Sequence, residues 1–470
     1  MKTENIIDQE DPTIAAILAE FAEGFTYEAI PQQTRERAKH LILDAIGIAF
    51  ASTQYDFAHR ALSASRELGC GQSDVIGGTE KLQLRDAILH NGLLVHGLDF
   101  DDTHARGVIH ATASCLPTAL AVAAHNGVSG QQLLSAYVLG MEVATRLASV
   151  AKGEFHQAGF HPTGLIGAFS SALIAGKLQG QNAAQLDMAQ GIALSMASGA
   201  LEFLQDGAWT KRLHPGWAGV AGVTAATYAR HGFLGPKATY EGRFGLYKSH
   251  LGLRAANCEL ALATDGLGSV WEVEQVAVKP LPACHFTHAC ADSAIALHDA
   301  GGIQLDEIKL IRALIPAEVV GIVCEPVANK RRPQNSYDAQ FSIPYAVASG
   351  LLRGRFGLVE QEAEALNEAA VLQLADKVNY EIDPDSGFPR HYSGEVVVVM
   401  NDGRELRHRE AINRGAADRP LSNADIVEKF RENARVALSP SRTDEIFHAV
   451  MNLDTGMTAL EFSRALAARG

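Results

Sequence analysis

Apolar positions recur at three- and four-residue spacing from near the start of the chain. Asp11-Pro12-Thr13 is a helix start signal, and Ile14, Ile17, Leu18 and Phe21 follow it on one face. A second block runs from Pro31 through Leu41, Ile42, Ala45, Ile46 and Ala49 and ends near Ser52. Between residues 110 and 230 the chain is dense in Ala, Gly and Ser, as in LIGAFSSALIAGKLQG and AQGIALSMASGAL. Small residues at helical spacing let backbones approach closely, so this stretch predicts a many-helix core with few strands.

The pattern changes near residue 272. WEVEQVAVKPLPAC brings in β-branched residues and prolines, and KLIRALIPAEVVGIV, DKVNYEIDPDSG and GEVVVVMNDGRELRHREAI read as strands. In the last of these Asn401-Asp402-Gly403 supplies turn residues that tolerate positive φ, which predicts a hairpin. Helices are expected around Gln340–Leu352 and Glu360–Ala375. The tail returns to helical spacing in NADIVEKFRENARVAL, DEIFHAVMNL and ALEFSRALAAR. The expected fold is mainly α with an α+β second domain. Residues 1–271 and 408–470 form a large helical domain, and 272–407 form an inserted α+β lid.

At 470 residues the chain is too long for one core of ordinary size, which agrees with two domains. A formal net charge of −14 argues against binding nucleic acid or an anionic membrane surface, so an anionic substrate needs a locally positive pocket. The beginning, MKTENIIDQEDP, lacks a basic-then-apolar pattern, and the apolar stretches are broken before they reach a membrane span. The six cysteines, at 70, 115, 258, 284, 290 and 324, form no C-x-x-C pair, which is expected of reduced thiols in a cytoplasmic protein.

Four segments concentrate chemistry. His96-Gly97-Leu98-Asp99-Phe100-Asp101-Asp102-Thr103-His104 packs two histidines and three aspartates into nine residues after an apolar run, with His110 six residues on. Buried charge at that density needs partners. A zinc or iron site is one reading, and a capped helix end with solvated histidines is the plain one. In Phe155–Gly164, His161 precedes Pro162 at the entrance of an apolar helix, where a histidine is more often a cap than a base. Asp206–Gly216 offers Lys211 and Arg212 beside Pro215-Gly216. Lys279–His288 presents a lysine, Cys284, His285 and His288 on a proline-stiffened segment, and an adjacent Cys-His pair is no sign of a catalytic dyad.

Taken in order, HGLDFDDTH, GFHPTG, TKRLHPGWA, KPLPACHFTH and SYDAQFSIPYAVA resemble the MmgE/PrpD family along essentially the whole chain. That family contains 2-methylcitrate dehydratases, cis-aconitate decarboxylases and iminodisuccinate epimerases. The resemblance implies a helical domain with a smaller α+β lid, a homodimer, and chemistry without metal or organic cofactor. It places Asp99 and Thr103 at the pocket edge and His110, His161 and Lys211 in it, with Lys279 opening the lid segment. Two departures stand out. Ala111 follows His110 where many relatives have proline. Cys284 occupies the position where the decarboxylase branch has a histidine, with His285 one residue later.

All three reactions pass through carbanion- or enolate-like charge beside a carboxylate. Lys211, Lys279 and Arg212 can neutralise carboxylates, with Thr103 and His285 also in the substrate-binding set. His110 and His161 can exchange protons near neutrality, and Asp99 is expected to orient a histidine. The expected protein is therefore a cofactor-free lyase for a small carboxylate substrate, first of all a 2-methylcitrate dehydratase-like hydro-lyase. Epimerisation of an aminodicarboxylate and cis-aconitate decarboxylation are the alternatives within the family. A metal-dependent hydrolase and a non-catalytic dimeric binding protein are the alternatives outside it.

Overall fold

The computed structural model describes residues 12–468; Asp11 and the polar first ten residues lie outside them. Thr13 caps the first helix, Ile14–Gly24, by accepting a hydrogen bond from the Ala16 amide. The second helix, Gln32–Ser52, starts and stops where the spacing predicts. Seven further long helices up to Arg230 build the first core: Asp56–Leu68, Leu84–His96, Thr112–Asn126, Gly130–Val150, Pro162–Leu178, Ala183–Leu194 and Thr210–Arg230. The tail helices Asn423–Ala434, Pro440–Met451 and Ala459–Leu466 join that core through Ile426, Phe430, Ile446, Val450, Phe462 and Leu466. Gly130–Val150 is long and apolar enough to cross a membrane, and its apolar stretch is buried inside the protein.

The small residues act as predicted. A side chain at Gly92 would strike the backbone of Gly216 at 2.6 Å, and one at Gly216 would strike the Leu89 carbonyl at 2.2 Å. Helices Leu84–His96 and Thr210–Arg230 therefore touch backbone to backbone, which sets the end of one beside the start of the other.

The second core is α+β. A four-stranded sheet has the order Val378–Ile382, Ile308–Ile315, Gly394–Met400, Glu405–Glu410, with the first pair parallel and the others antiparallel. Ile311, Ala313, Ile315, Val396 and Val398 turn inward against helices His285–Ala300 and Ile343–Arg353. The Asn401-Asp402-Gly403 hairpin forms as expected, with Gly403 at φ 88.

Three expectations are corrected. The run after Ile315 leaves the sheet at Pro316 and coils into two short helical turns, Ala317–Val319 and Val320–Val323. Around 272–277 only Val276–Ala277 is strand, paired with Thr103–His104. The helix expected over 360–375 is split into Val359–Gln361, Ala363–Leu366 and Ala369–Asp376. Its first turn is pinned inward by buried side chains. Glu360 accepts from the Gly357 amide, and Gln361 donates to the Pro282 carbonyl.

Candidate active site

Where the two cores meet, the chain closes a cavity of about 40 Å³. Asp99, Thr103, His110, His161 and Lys211 reach it from the helical side, and Lys279 and His285 from the lid. Local structure explains each placement. Helix Leu84–His96 ends at Gly97, and Asp99 follows in a left-handed conformation, φ 50, which costs a non-glycine residue about 1 kcal/mol or more. The antiparallel pairing of Thr103 with Ala277 brings Lys279 across the interface to Asp99. The glycine contact between helices sets Lys211 at the same carboxylate. The SYDAQFSIPYAVA block closes the lid side: Gln340 donates to the Leu98 carbonyl and accepts from the Cys284 amide through its own carbonyl. Phe341 lies beneath the Lys211 ammonium, 4.8 Å from ring centre to Nζ.

The cationic end is one cluster. Lys211 Nζ and Lys279 Nζ each donate to Asp99 Oδ1 at 2.8 Å, and Lys279 also donates to the Asp99 carbonyl at 2.8 Å. Burial opposes ionisation of Asp99, but the two lysines outweigh it and hold the carboxyl well below its usual range. For Lys279, burial favours loss of the proton, and Asp99 with Asp101 reverses this and raises it. Two ammonium groups sharing one carboxylate leave a net positive charge facing the cavity. Asp99 Oδ2 is buried with no partner of its own.

The other end is histidine. His110 Nδ1 lies 2.8 Å from the Asp102 carbonyl and 3.3 Å from Thr103 Oγ1, so it carries the proton and leaves Nε2 as an acceptor. His161 precedes Pro162, its amide bonds to the Gly199 carbonyl, and its ring makes no capping bond. Instead its Nδ1 lies 3.1 Å from His214 Nδ1, and its Nε2 is buried without a partner. Burial first, then His214 and Lys211, push His161 well below its ordinary value. Burial and Lys279 do the same to His110. His156 and His214 fall to about 4 and His285 to about 3, each chiefly by burial. The imidazoles are neutral at neutral pH.

The three aspartates of DFDD face three ways. Asp99 holds lysines and touches no histidine, which corrects the orienting role expected for it. That role falls to Asp101, whose Oδ2 is 2.7 Å from His96 Nδ1 and which is held down to about 2, burial being outweighed by His96 and His110. Asp102, behind Asp101, accepts from Thr112 Oγ1 and is pushed up to about 8 by burial and by its neighbour. His104 turns out of the site to Glu272 Oε2 at 3.0 Å. Arg212 also points elsewhere: its guanidinium donates to the Gly97 carbonyl and stacks between Phe57 and Tyr337, at the wall of a different cavity. His285 lines the site, its Nε2 held 2.6 Å from Asn413 Nδ2. Cys284 also lines it as a thiol raised to about 11 by burial and Asp99, so it is no thiolate nucleophile.

Among the described residues one group offers a metal-ligand geometry, His96, Asp101 and His110, with donor atoms within 4.8 Å of one another. Their closest donors are already engaged: His96 Nδ1 with Asp101, and His110 Nδ1 with a backbone carbonyl. A metal there would have to displace both bonds, so the donor set fits an orienting network better than a coordination sphere.

Residues 16–259 match the MmgE/PrpD N-terminal domain and residues 281–455 the MmgE/PrpD C-terminal domain. The chain is 30% identical over 435 residues to cis-aconitate decarboxylase of Homo sapiens, covering 89% of this chain and 87% of that one. It is 26% identical over 466 residues to cis-aconitate decarboxylase of Aspergillus terreus, covering 94% and 93%. It is 27% identical over 452 residues to the cis-aconitate decarboxylase-like protein oryM of Aspergillus oryzae, covering 92% of each. Matched by both family domains and, nearly end to end, by relatives that are lyases, the chain belongs to the MmgE/PrpD family.

Proposed function

We propose that this protein is a cofactor-independent lyase acting on a six-carbon tricarboxylate, with cis-aconitate as its first substrate and carbon dioxide as a product. One observation carries the reading: a doubly lysine-bound carboxylate and two neutral histidines with ring nitrogens open to one cavity. Lys211 and Lys279 bind substrate carboxylates and oppose the charge that develops when carbon dioxide leaves. The electron pair released from the departing carboxylate shifts the double bond and appears on the carbon beside a second carboxylate. A proton from His161 Nε2 quenches it there. Thr103 and His110 Nε2 line the same wall and orient the acid. The relatives named cis-aconitate decarboxylase support this reading.

Cys284 favours a second reading, hydration and dehydration of a citrate-type acid. There His110 Nε2 removes a carbon proton and His161 protonates the leaving hydroxyl, with no net proton consumed. A third outcome, epimerisation of an aminodicarboxylate, needs His110 and His161 alone.

The cavity holds roughly a water or two at its present size, so the lid must part from the helical core to admit substrate. Closure then removes water and strengthens the charge interactions inside. We also propose a homodimer. Leu213, Trp217 and Tyr228 share one exposed face of helix Thr210–Arg230, and Phe233 and Leu234 just beyond it are exposed as well.

A proton NMR time course with EDTA-treated protein in D₂O tests the function directly. Conversion of cis-aconitate to a five-carbon acid carrying one new deuterium, with loss of carbon dioxide, is the expected result. Loss or gain of water from 2-methylcitrate, citrate or cis-aconitate would replace it with the second reading. A requirement for added metal would defeat both.

A further inference from the structure

We propose that Asn413 is a positioning residue that locks His285 in its Nδ1–H tautomer and so makes this lid histidine a neutral hydrogen-bond donor to a substrate carboxylate. The choice of ligand rests on the carboxylate reading of the site; the tautomer rests on contacts alone.

The hydrogen bonds around Asn413 leave one arrangement. The Tyr392 amide lies 3.1 Å from one of its side-chain atoms. A backbone amide only donates, so that atom is Oδ1, and the atom turned to His285 is Nδ2, which carries hydrogens. Nδ2 meets His285 Nε2 at 2.6 Å, so Nε2 accepts and is bare. A hydrogen on Nε2 would set two N–H groups head to head. The ring hydrogen of His285 therefore sits on Nδ1, which is buried and has no partner among the described residues, in a ring that lines the cavity. Burial and then Lys279 hold His285 down to about 3, which agrees with a ring that stays neutral beside the lysine cluster.

The residues after Asn413 fix it in place. Arg414 pairs with Asp292 on helix His285–Ala300, the helix that His285 opens. Gly415 follows at φ 88 and accepts from the Val278 amide at 3.2 Å; a side chain there would strike the Val278 carbonyl at 2.0 Å. The turn thus lies flat against the residue before Lys279, and Asn413 is held on His285 by its neighbours as well as by its own bonds.

The two rings divide the work. His110 spends Nδ1 on the Asp102 carbonyl and leaves Nε2 to accept. His285 spends Nε2 on Asn413 and leaves Nδ1 to donate. A neutral donor grips a carboxylate oxygen without adding a third positive charge to Lys211 and Lys279. A ligand with no acceptor there would leave a buried N–H unpaired, which discriminates strongly against it.

Histidine ¹⁵N chemical shifts, with His285 assigned by loss of its signals in His285→Leu, read the tautomer without substrate. A bare Nε2 with a protonated Nδ1 supports the proposal; an Nε2–H ring or an imidazolium at neutral pH overturns it. Asn413→Leu should abolish the single Nδ1–H pattern, and its persistence would overturn the role of Asn413. With cis-aconitate, His285→Leu should raise KM about 10- to 100-fold, with a smaller change in kcat. His285→Asn, whose amide nitrogen stands near the place of Nδ1, should recover most of that loss. Wild-type KM in the Leu variant, or no recovery in the Asn variant, would count against the donor. Asn413→Leu should raise KM when His285 is present and add little to His285→Asn; equal losses in both backgrounds would mean a merely structural residue and overturn the positioning role. If wild-type protein turns over no tricarboxylate, the functional reading fails while the nitrogen shifts still decide the tautomer.

Discussion

The two ends of the cavity solve opposite problems. At the lysine end charge is kept: Lys211 and Lys279 both donate to Asp99 and hold its carboxyl well below the usual range, and Asp99 raises Lys279 in return. At the histidine end charge is refused: His110, His161 and His214 stay neutral, with donors and acceptors paired one at a time. The difference teaches how burial alone cannot assign a role. Fixed charge suits recognition and stabilisation of carboxylates, while neutral rings with an open nitrogen suit movement of protons.

Breaking the lysine end should have the largest structural effect. Asp99→Ala strands two buried ammonium groups, and loss of one partner from such a cluster costs about 3–5 kcal/mol. Urea denaturation should show that loss, whereas His161→Asn should unfold near the wild-type midpoint. The largest kinetic effect belongs to the histidine end. The same His161→Asn variant, which loses the proton donor, should lower kcat by about 10²–10⁴-fold, read by steady-state assay.

The comparison was partly legible in the sequence. HGLDFDDTH with the His110 that follows it, GFHPTG and KPLPACHFTH supplied Asp99, Thr103, His110, His161, Lys279 and His285, all of which line the cavity. Arg212 was inseparable from Lys211 by type, since adjacent residues on a helix point about 100° apart and only packing decides which faces the site. The division of labour among Asp99, Asp101 and Asp102 was hidden for a similar reason, because it depends on the left-handed turn at Asp99. His214 and His156 stood within segments singled out for other residues, and nothing in spacing marks a contact between residues 161 and 214. The hydrophobic wall of Phe203, Phe341 and Tyr392 comes from distant segments with no shared period. For the fold, periodicity found the long helices and the hairpin. It failed at Glu360 and Gln361, where buried polar contacts overrule helical spacing.

Acid should sharpen the contrast. His156, His214 and His285 have folded values of about 4, 4 and 3, and His110 and His161 are also depressed, against about 6.5 in an unfolded chain. Below about pH 6.5 the unfolded chain binds protons the folded one refuses, so stability falls as pH drops, by up to about 1.4 kcal/mol per unit for each such histidine. The Asp99 contribution has the same sign but a lower window: it is present above about 3.8 and lost only as pH falls beneath that. Urea midpoints measured from pH 7.5 to 5 should therefore decline through histidine uptake while the lysine cluster stays intact. A flat profile would mean the histidines are already charged in the fold.

The smallest effect is expected at Cys284. Its thiol is raised to about 11, so Cys284→Ser should keep kcat within about threefold, and iodoacetamide should label it slowly at pH 7.5.

Calorimetric titration of cis-aconitate into His161→Asn, paired with turnover of the same sample, tests the central division most directly. The account predicts affinity close to that of wild type, because the lysine end is untouched, with turnover almost abolished. Lost binding together with intact turnover per bound substrate would contradict it, since His161 would then be a recognition group and not the proton donor.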